Sequence, residues 1–151
     1  MTGWEDGSGF EAIYAKLEEL VGLMANFFRK KPQLQAKFVA RIDLKLIKQM
    51  IANKAFDLGE FTKTLDTLQA MLYEIESPYQ AARTREFVAS FKDKLGAKQA
   101  EIGAGTAAEK TEQEISKWYA TMIVDALQEL FRKVDVCQQE LDNFLLSILP
   151  P

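Results

Sequence analysis

The chain has 151 residues, 48% of them hydrophobic, so it can bury one substantial core and has little length left for a second. Its net charge of −3 argues against nonspecific nucleic-acid binding, which needs a clustered cationic surface. Histidine is absent and Cys137 is the sole cysteine, which removes Ser/His/Asp and Cys/His triads, histidine-containing zinc and iron sites, and any intrachain disulfide.

These residues imply no cofactor and no metal, and leave an enzyme only carboxylate or lysine chemistry. No run of about 18 apolar residues exists, which excludes a membrane-spanning helix on length. Residues 1–9 include Glu5 and Asp6 and lack both an apolar signal core and an arginine-rich presequence. The expectation is a soluble intracellular chain, cytoplasmic or in a cytoskeletal or organelle assembly, or a mature chain whose targeting segment is not present.

Residues 1–9, with Gly3, Gly7, Ser8 and Gly9, read as a flexible leader with Trp4 as its anchor candidate. The helical domain is expected over 10–149. Phe10, Ile13, Tyr14, Leu17, Leu20, Val21, Met24, Phe27 and Phe28 keep the three-four rhythm of one helix face. Arg29, Lys30 and Lys31 follow where the helix dipole favours cations, and Pro32 stops the run.

Beyond Pro32, the stripe Leu34, Phe38, Ile42 gives way to Leu44, Leu46, Ile47, Met50 and Ile51, which spread too widely for one face. With Asp43 as an N-cap, this predicts two short helices, 33–41 and 44–53, the second largely buried. Asp57 and Glu60 have capping-box spacing and open a helix with Phe61, Leu65, Leu68, Leu72 and Ile75 inward. Ser77-Pro78-Tyr79-Gln80 starts another, which carries Tyr79, Phe87, Val88, Phe91 and Leu95. Residues 96–106 are the candidate linker, with a helical turn possible over 97–102.

A third capping box, Thr106 with Glu109, opens the last helix, predicted over 109–149. Ile115, Tyr119, Met122, Ala126, Leu130, Val134, Cys137, Leu141, Phe144 and Ile148 form its stripe, widened by Trp118, Ile123, Leu127, Phe131 and Leu145. Such a helix runs roughly 60 Å, while a compact globule of this chain length is about 40 Å across. It must bend, break or overhang, and an overhang exposes Leu141, Phe144, Leu145 and Ile148 unless another surface covers them.

Between residues 29 and 54 the chain carries Arg29, Lys30, Lys31, Lys37, Arg41, Lys45, Lys48 and Lys54 against Asp43, a local excess of +7. Phe38 is the sole aromatic there, so base stacking is not the expectation; a solvated face or an acidic protein partner is. Residues 103–108, Gly-Ala-Gly-Thr-Ala-Ala, match the letters of a dinucleotide fingerprint, which works only after a strand, and the pattern places a helix before it. Cys137, between Val134 and Leu141, reads as a small buried hydrophobe, and Met24, Met50, Met71 and Met122 as core filler.

The segment Ile42-Asp43-Leu44-Lys45-Leu46-Ile47-Lys48-Gln49, followed by Asn53, Ala55 and Asp57, resembles the t-complex testis protein (t-complex-eleven-like) family, whose pattern has Asp-x-x-Leu-Ile-Lys-Gln and then Asn or His, Gly, Ala and Asp. Lys54 stands at the glycine position. Glu76-Ser77-Pro78 is similar to part of that family's later Cys-Ala-Pro-x-Arg-Asp motif, with Tyr79 and Gln80 in place of its arginine and aspartate. The likeness covers residues 29–95 and implies an all-helical protein without established catalysis, linked to cyclic-AMP and protein-kinase-A signalling and to sperm or flagellar function.

Together these readings predict an all-α, single-domain bundle of five to six helices with a long C-terminal helix. The expected function is a noncatalytic interaction or structural protein, a subunit or scaffold of a larger assembly. It would meet a protein partner or a second copy through Leu141, Phe144, Leu145 and Ile148, with the basic residues Arg29 to Lys48 as a second surface.

Overall fold

A computed structural model describes residues 8–103 and 112–149. Among them are six α-helices, one short 3₁₀ turn and no strand, as the periodicity predicts. Trp4 and the Thr106–Glu109 capping box lie outside the described residues, as does the side chain of Phe10.

Helix α1, Ser8–Ala25, buries Ile13, Leu17, Leu20, Val21 and Met24 on one face. It ends before Phe28: residues Asn26–Phe28 tighten into the 3₁₀ turn, which swings the Phe28 ring onto Phe38 at 4.8 Å between centroids. Pro32 then opens helix α2, Pro32–Val39, where its missing N–H costs nothing. Gln35 Nε2 donates to the Ala25 carbonyl at 2.9 Å, which satisfies one of the groups left open at the end of α1. Helix α2 stops short of the predicted Arg41, and Leu34 is 46% exposed rather than part of a buried stripe.

Helix α3, Leu44–Ala52, starts on the predicted cap, with the Leu46 N–H donating to Asp43 Oδ1 at 2.9 Å. It is not largely buried. It lays one face on α1, so Ile47 and Ile51 go in while Leu46 stays 50% exposed. Its C-terminus closes in a Schellman motif: the Ala55 N–H donates to the Met50 carbonyl at 2.7 Å and the Lys54 N–H to the Ile51 carbonyl at 3.0 Å. That geometry needs a left-handed residue, and Lys54 takes φ of 57°. Replacing it by glycine removes the Cβ conflict, so Lys54→Gly should raise stability by about 1 kcal/mol. A lower urea midpoint for the variant would contradict this.

Helix α4, Leu58–Tyr73, begins on Asp57, whose Oδ1 accepts from the Glu60 N–H at 2.9 Å, and buries Phe61, Leu65, Leu68 and Leu72 as predicted, with Thr64 and Met71 beside them. Helix α5, Pro78–Gly103, begins where the Gln80 N–H donates to Ser77 Oγ at 3.3 Å. It does not stop near Leu95. An exposed helical glycine costs about 1 kcal/mol, and burial of Phe91 and Leu95 before Gly96 and of Lys98 after it carries the helix through. The expected linker therefore shrinks from its N-terminal side, and its remainder, 104–106, lies outside the described residues. Tyr79 is 67% exposed, its ring against the Arg83 guanidinium at 5.8 Å.

Helix α6, Glu112–Ile148, is continuous over 37 residues, about 55 Å at 1.5 Å per residue. It packs on α1, α4 and α5, while α1 also holds α2 and α3. The shared core runs from Ile13 through Phe61 and Leu68 to Leu130 and Val134. Among the described residues no helix is long and apolar enough to cross a membrane.

Candidate functional site

One line of apolar side chains along α6 repeats in strict heptads. Ala120, Ile123, Leu127, Leu130, Val134, Cys137, Leu141, Phe144 and Ile148 alternate steps of three and four, the spacing of the a and d positions that seat one helix on another. The first six, through Cys137, are each no more than 4% exposed, because α1, α4 and α5 supply the facing surfaces. The last three continue the same stripe uncovered: Leu141 is 38% exposed, Phe144 59% and Ile148 61%. Leu145, Leu146 and Leu149 are exposed as well. Of the three outcomes open to a helix this long, the overhang is the one observed, and all four apolar residues singled out in the sequence lie on it. The heptad register itself was readable in the sequence.

The overhang is acidic. At 100° per residue Glu140 borders the stripe, Asp135 and Asp142, each directly after a stripe residue, lie farther round on the outer face, and no lysine or arginine follows Lys133. Gln138 Nε2 donates to Asp142 Oδ1 at 2.9 Å, which orders that carboxylate on the exposed side of the helix without neutralising it.

The basic residues sit elsewhere, on and between α1, α2 and α3. Arg29, Lys30, Lys31, Lys37, Arg41, Lys45 and Lys48 are all exposed. Two already have local partners: Arg41 reaches Glu74 at 2.9 Å, and the Lys48 ammonium lies 5.7 Å from the centre of the Tyr14 ring. The remaining five form a solvated cationic surface.

A half-buried carboxylate meets the edge of the core. Glu76, at the turn between α4 and α5, accepts from the Thr84 hydroxyl at 2.5 Å, and its other oxygen is shut from solvent without a hydrogen-bond partner among the described residues. Burial pushes its carboxyl above the ordinary value of 4.5, the Thr84 bond and the Lys133 charge pull it down, and Glu140 pushes it up again. Because the folded chain holds that proton more tightly than the unfolded chain, stability should fall as pH rises from about 4.5 to the raised folded value. Glu76→Gln should remove this component, so its stability relative to the parent improves across that window and levels off above it. Urea midpoints measured against pH would show parallel curves if the idea is wrong.

Two other concavities hold paired charge. In the groove of about 650 Å³ between α5 and α6, the Lys98 ammonium lies 5.0 Å from the Trp118 ring centre and 3.8 Å from a Glu101 oxygen. In the depression of about 510 Å³ beside Glu76, Arg41 pairs with Glu74, and Asp66 pairs with Lys92 at 2.7 Å. Among the described residues no group of three metal-ligating side chains gathers. The dinucleotide-like letters follow a helix that extends to Gly103, and their remainder lies outside the described residues. Comparison with known protein families, curated proteins and solved structures finds no match to this chain.

Proposed function

We propose that this chain is a noncatalytic helical interaction protein, a subunit or scaffold of a larger assembly, that receives its partner along the free end of α6. The observation carrying this reading is the heptad stripe that is buried through Cys137 and bare from Leu141 onward. Bare apolar surface of several hundred Å² is the usual mark of an interaction site. A contact over the overhang alone would bury on the order of 800 Å² counting both sides, about half of a standard interface. The exposed cations Arg29, Lys30, Lys31, Lys37 and Lys45 offer a second contact toward an acidic face of the same assembly.

The test is association of the full chain, followed by light scattering and by co-elution from its native source. Leu141→Asp combined with Phe144→Asp should weaken that association about 100-fold, since central apolar anchors cost about 1–2 kcal/mol or more each when lost. Helix content should stay unchanged, because both side chains are exposed. A strict monomer whose double variant keeps every interaction of the parent would refute the reading.

A second reading, a regulatory adaptor of cyclic-AMP and protein-kinase-A signalling, comes from the resemblance over residues 29–95. What favours it is that Lys54, standing where the family pattern has glycine, takes the left-handed conformation that glycine suits. Retention of purified kinase regulatory or catalytic subunits on the immobilised chain would test it.

A further inference from the structure

Resting on the docking reading, we infer that the occupant of the α6 overhang is an amphipathic helix with basic flanks, supplied by another protein rather than by a second copy of the same segment. That the occupant is a helix follows from the register. Leu141, Phe144 and Ile148 continue, without a skip, the a/d repeat that already receives helices over its buried half, and knobs at that spacing fit the holes of a facing helix. The stripe asks for a continuation of the same packing.

That the occupant is basic follows from charge. Beyond Lys133 the helix carries Asp135, Glu140 and Asp142 and no cation, with Glu140 beside the stripe, so a helix carrying lysine or arginine beside its own apolar face is attracted to this end. A second copy laid on the same segment would bring three more carboxylates and no cation, and such like-charge juxtaposition selects against that pairing. The carboxylates therefore choose the partner, while the apolar stripe supplies the seat.

The experiment uses the full chain and two synthetic helical peptides of equal length, each with leucine and isoleucine at a and d, one with lysine at the flanking positions and one with glutamate. Binding is read by fluorescence anisotropy at about 0.15 M salt, where charges beyond about 8 Å are screened. The lysine-flanked peptide should bind at least tenfold more tightly than its glutamate twin. Glu140→Lys with Asp142→Lys should reverse that order, and Leu141→Asp with Phe144→Asp should abolish both. If the lysine peptide loses its preference in neither charge variant nor apolar variant, it binds elsewhere and both the seat and the partner are wrong. If the apolar variant abolishes binding but the two peptides bind equally, the docking reading stands and the charge selection falls. If neither peptide binds and light scattering gives a dimer that Leu141→Asp dissolves, the occupant is a second copy and the inference is overturned.

Discussion

Phe61→Ala should destabilise the chain by about 3–5 kcal/mol, whereas Phe144→Ala should leave stability within about 0.5 kcal/mol of the parent. The same chemical change is made in two helices, and burial alone separates the outcomes. Phe61 is fully buried on α4 and meets the Phe91 ring of α5 edge-on at 5.9 Å between centroids. Its truncation removes the transfer energy of a whole ring, opens a cavity among Leu65, Leu68 and the other core residues that cannot all collapse, and deletes an aromatic pair. Against a total stability of about 5–15 kcal/mol for a domain, that loss brings the variant close to its unfolding threshold at room temperature. Phe144 is 59% exposed and contributes little to the fold. Urea unfolding followed by far-ultraviolet circular dichroism would measure both. Equal losses would mean that some element of the chain covers the end of α6, and the proposed interaction surface would disappear.

The features legible in the sequence were those whose physics is local. Asp43, Asp57 and Ser77 each cap a helix through a bond to a backbone N–H three residues on, a geometry that depends on nothing distant. The overhang was legible for a different reason: a helix longer than the globule it belongs to cannot hide its whole flank. What could not be read was which side of a short helix finds a neighbour. The apolar residues of α3 gave no single face, and only the approach of α1 decides that Ile47 is inside and Leu46 outside. The passage of α5 through Gly96 depends likewise on the burial of Leu95 and Lys98. Glu76 was invisible as a half-buried carboxylate, since its environment includes Lys133 and Glu140 from a helix more than fifty positions away. The left-handed turn at Lys54 is local, yet lysine gives no signal for a conformation that glycine or asparagine would have announced.

Cys137 should react with a thiol reagent at pH 8 about a thousandfold more slowly in the folded chain than in the chain unfolded by urea. Reaction goes through the thiolate. Burial first, then the charges of Glu76 and Glu140, push its pKa from the ordinary 9.0 up to about 12, while a backbone hydrogen bond and Lys133 offset part of the rise. The thiolate fraction at pH 8 drops accordingly, from about one in ten to about one in ten thousand, and the 4% exposure of the side chain slows the reagent further. Glu76→Gln and Glu140→Gln should each speed labelling by removing a negative neighbour, and Lys133→Met should slow it. A folded rate within tenfold of the unfolded one would show that the thiol is neither buried nor held protonated. The position gives the measurement a second use. Cys137 occupies the last covered step of the heptad stripe, one turn before Leu141, so fraying of the free helix end toward the core would reach it before the covered positions behind it. A partner helix seated over Leu141 and Phe144 would hold that turn closed. Labelling of Cys137 should therefore slow further on adding the lysine-flanked peptide and should not respond to it in the chain carrying Leu141→Asp and Phe144→Asp.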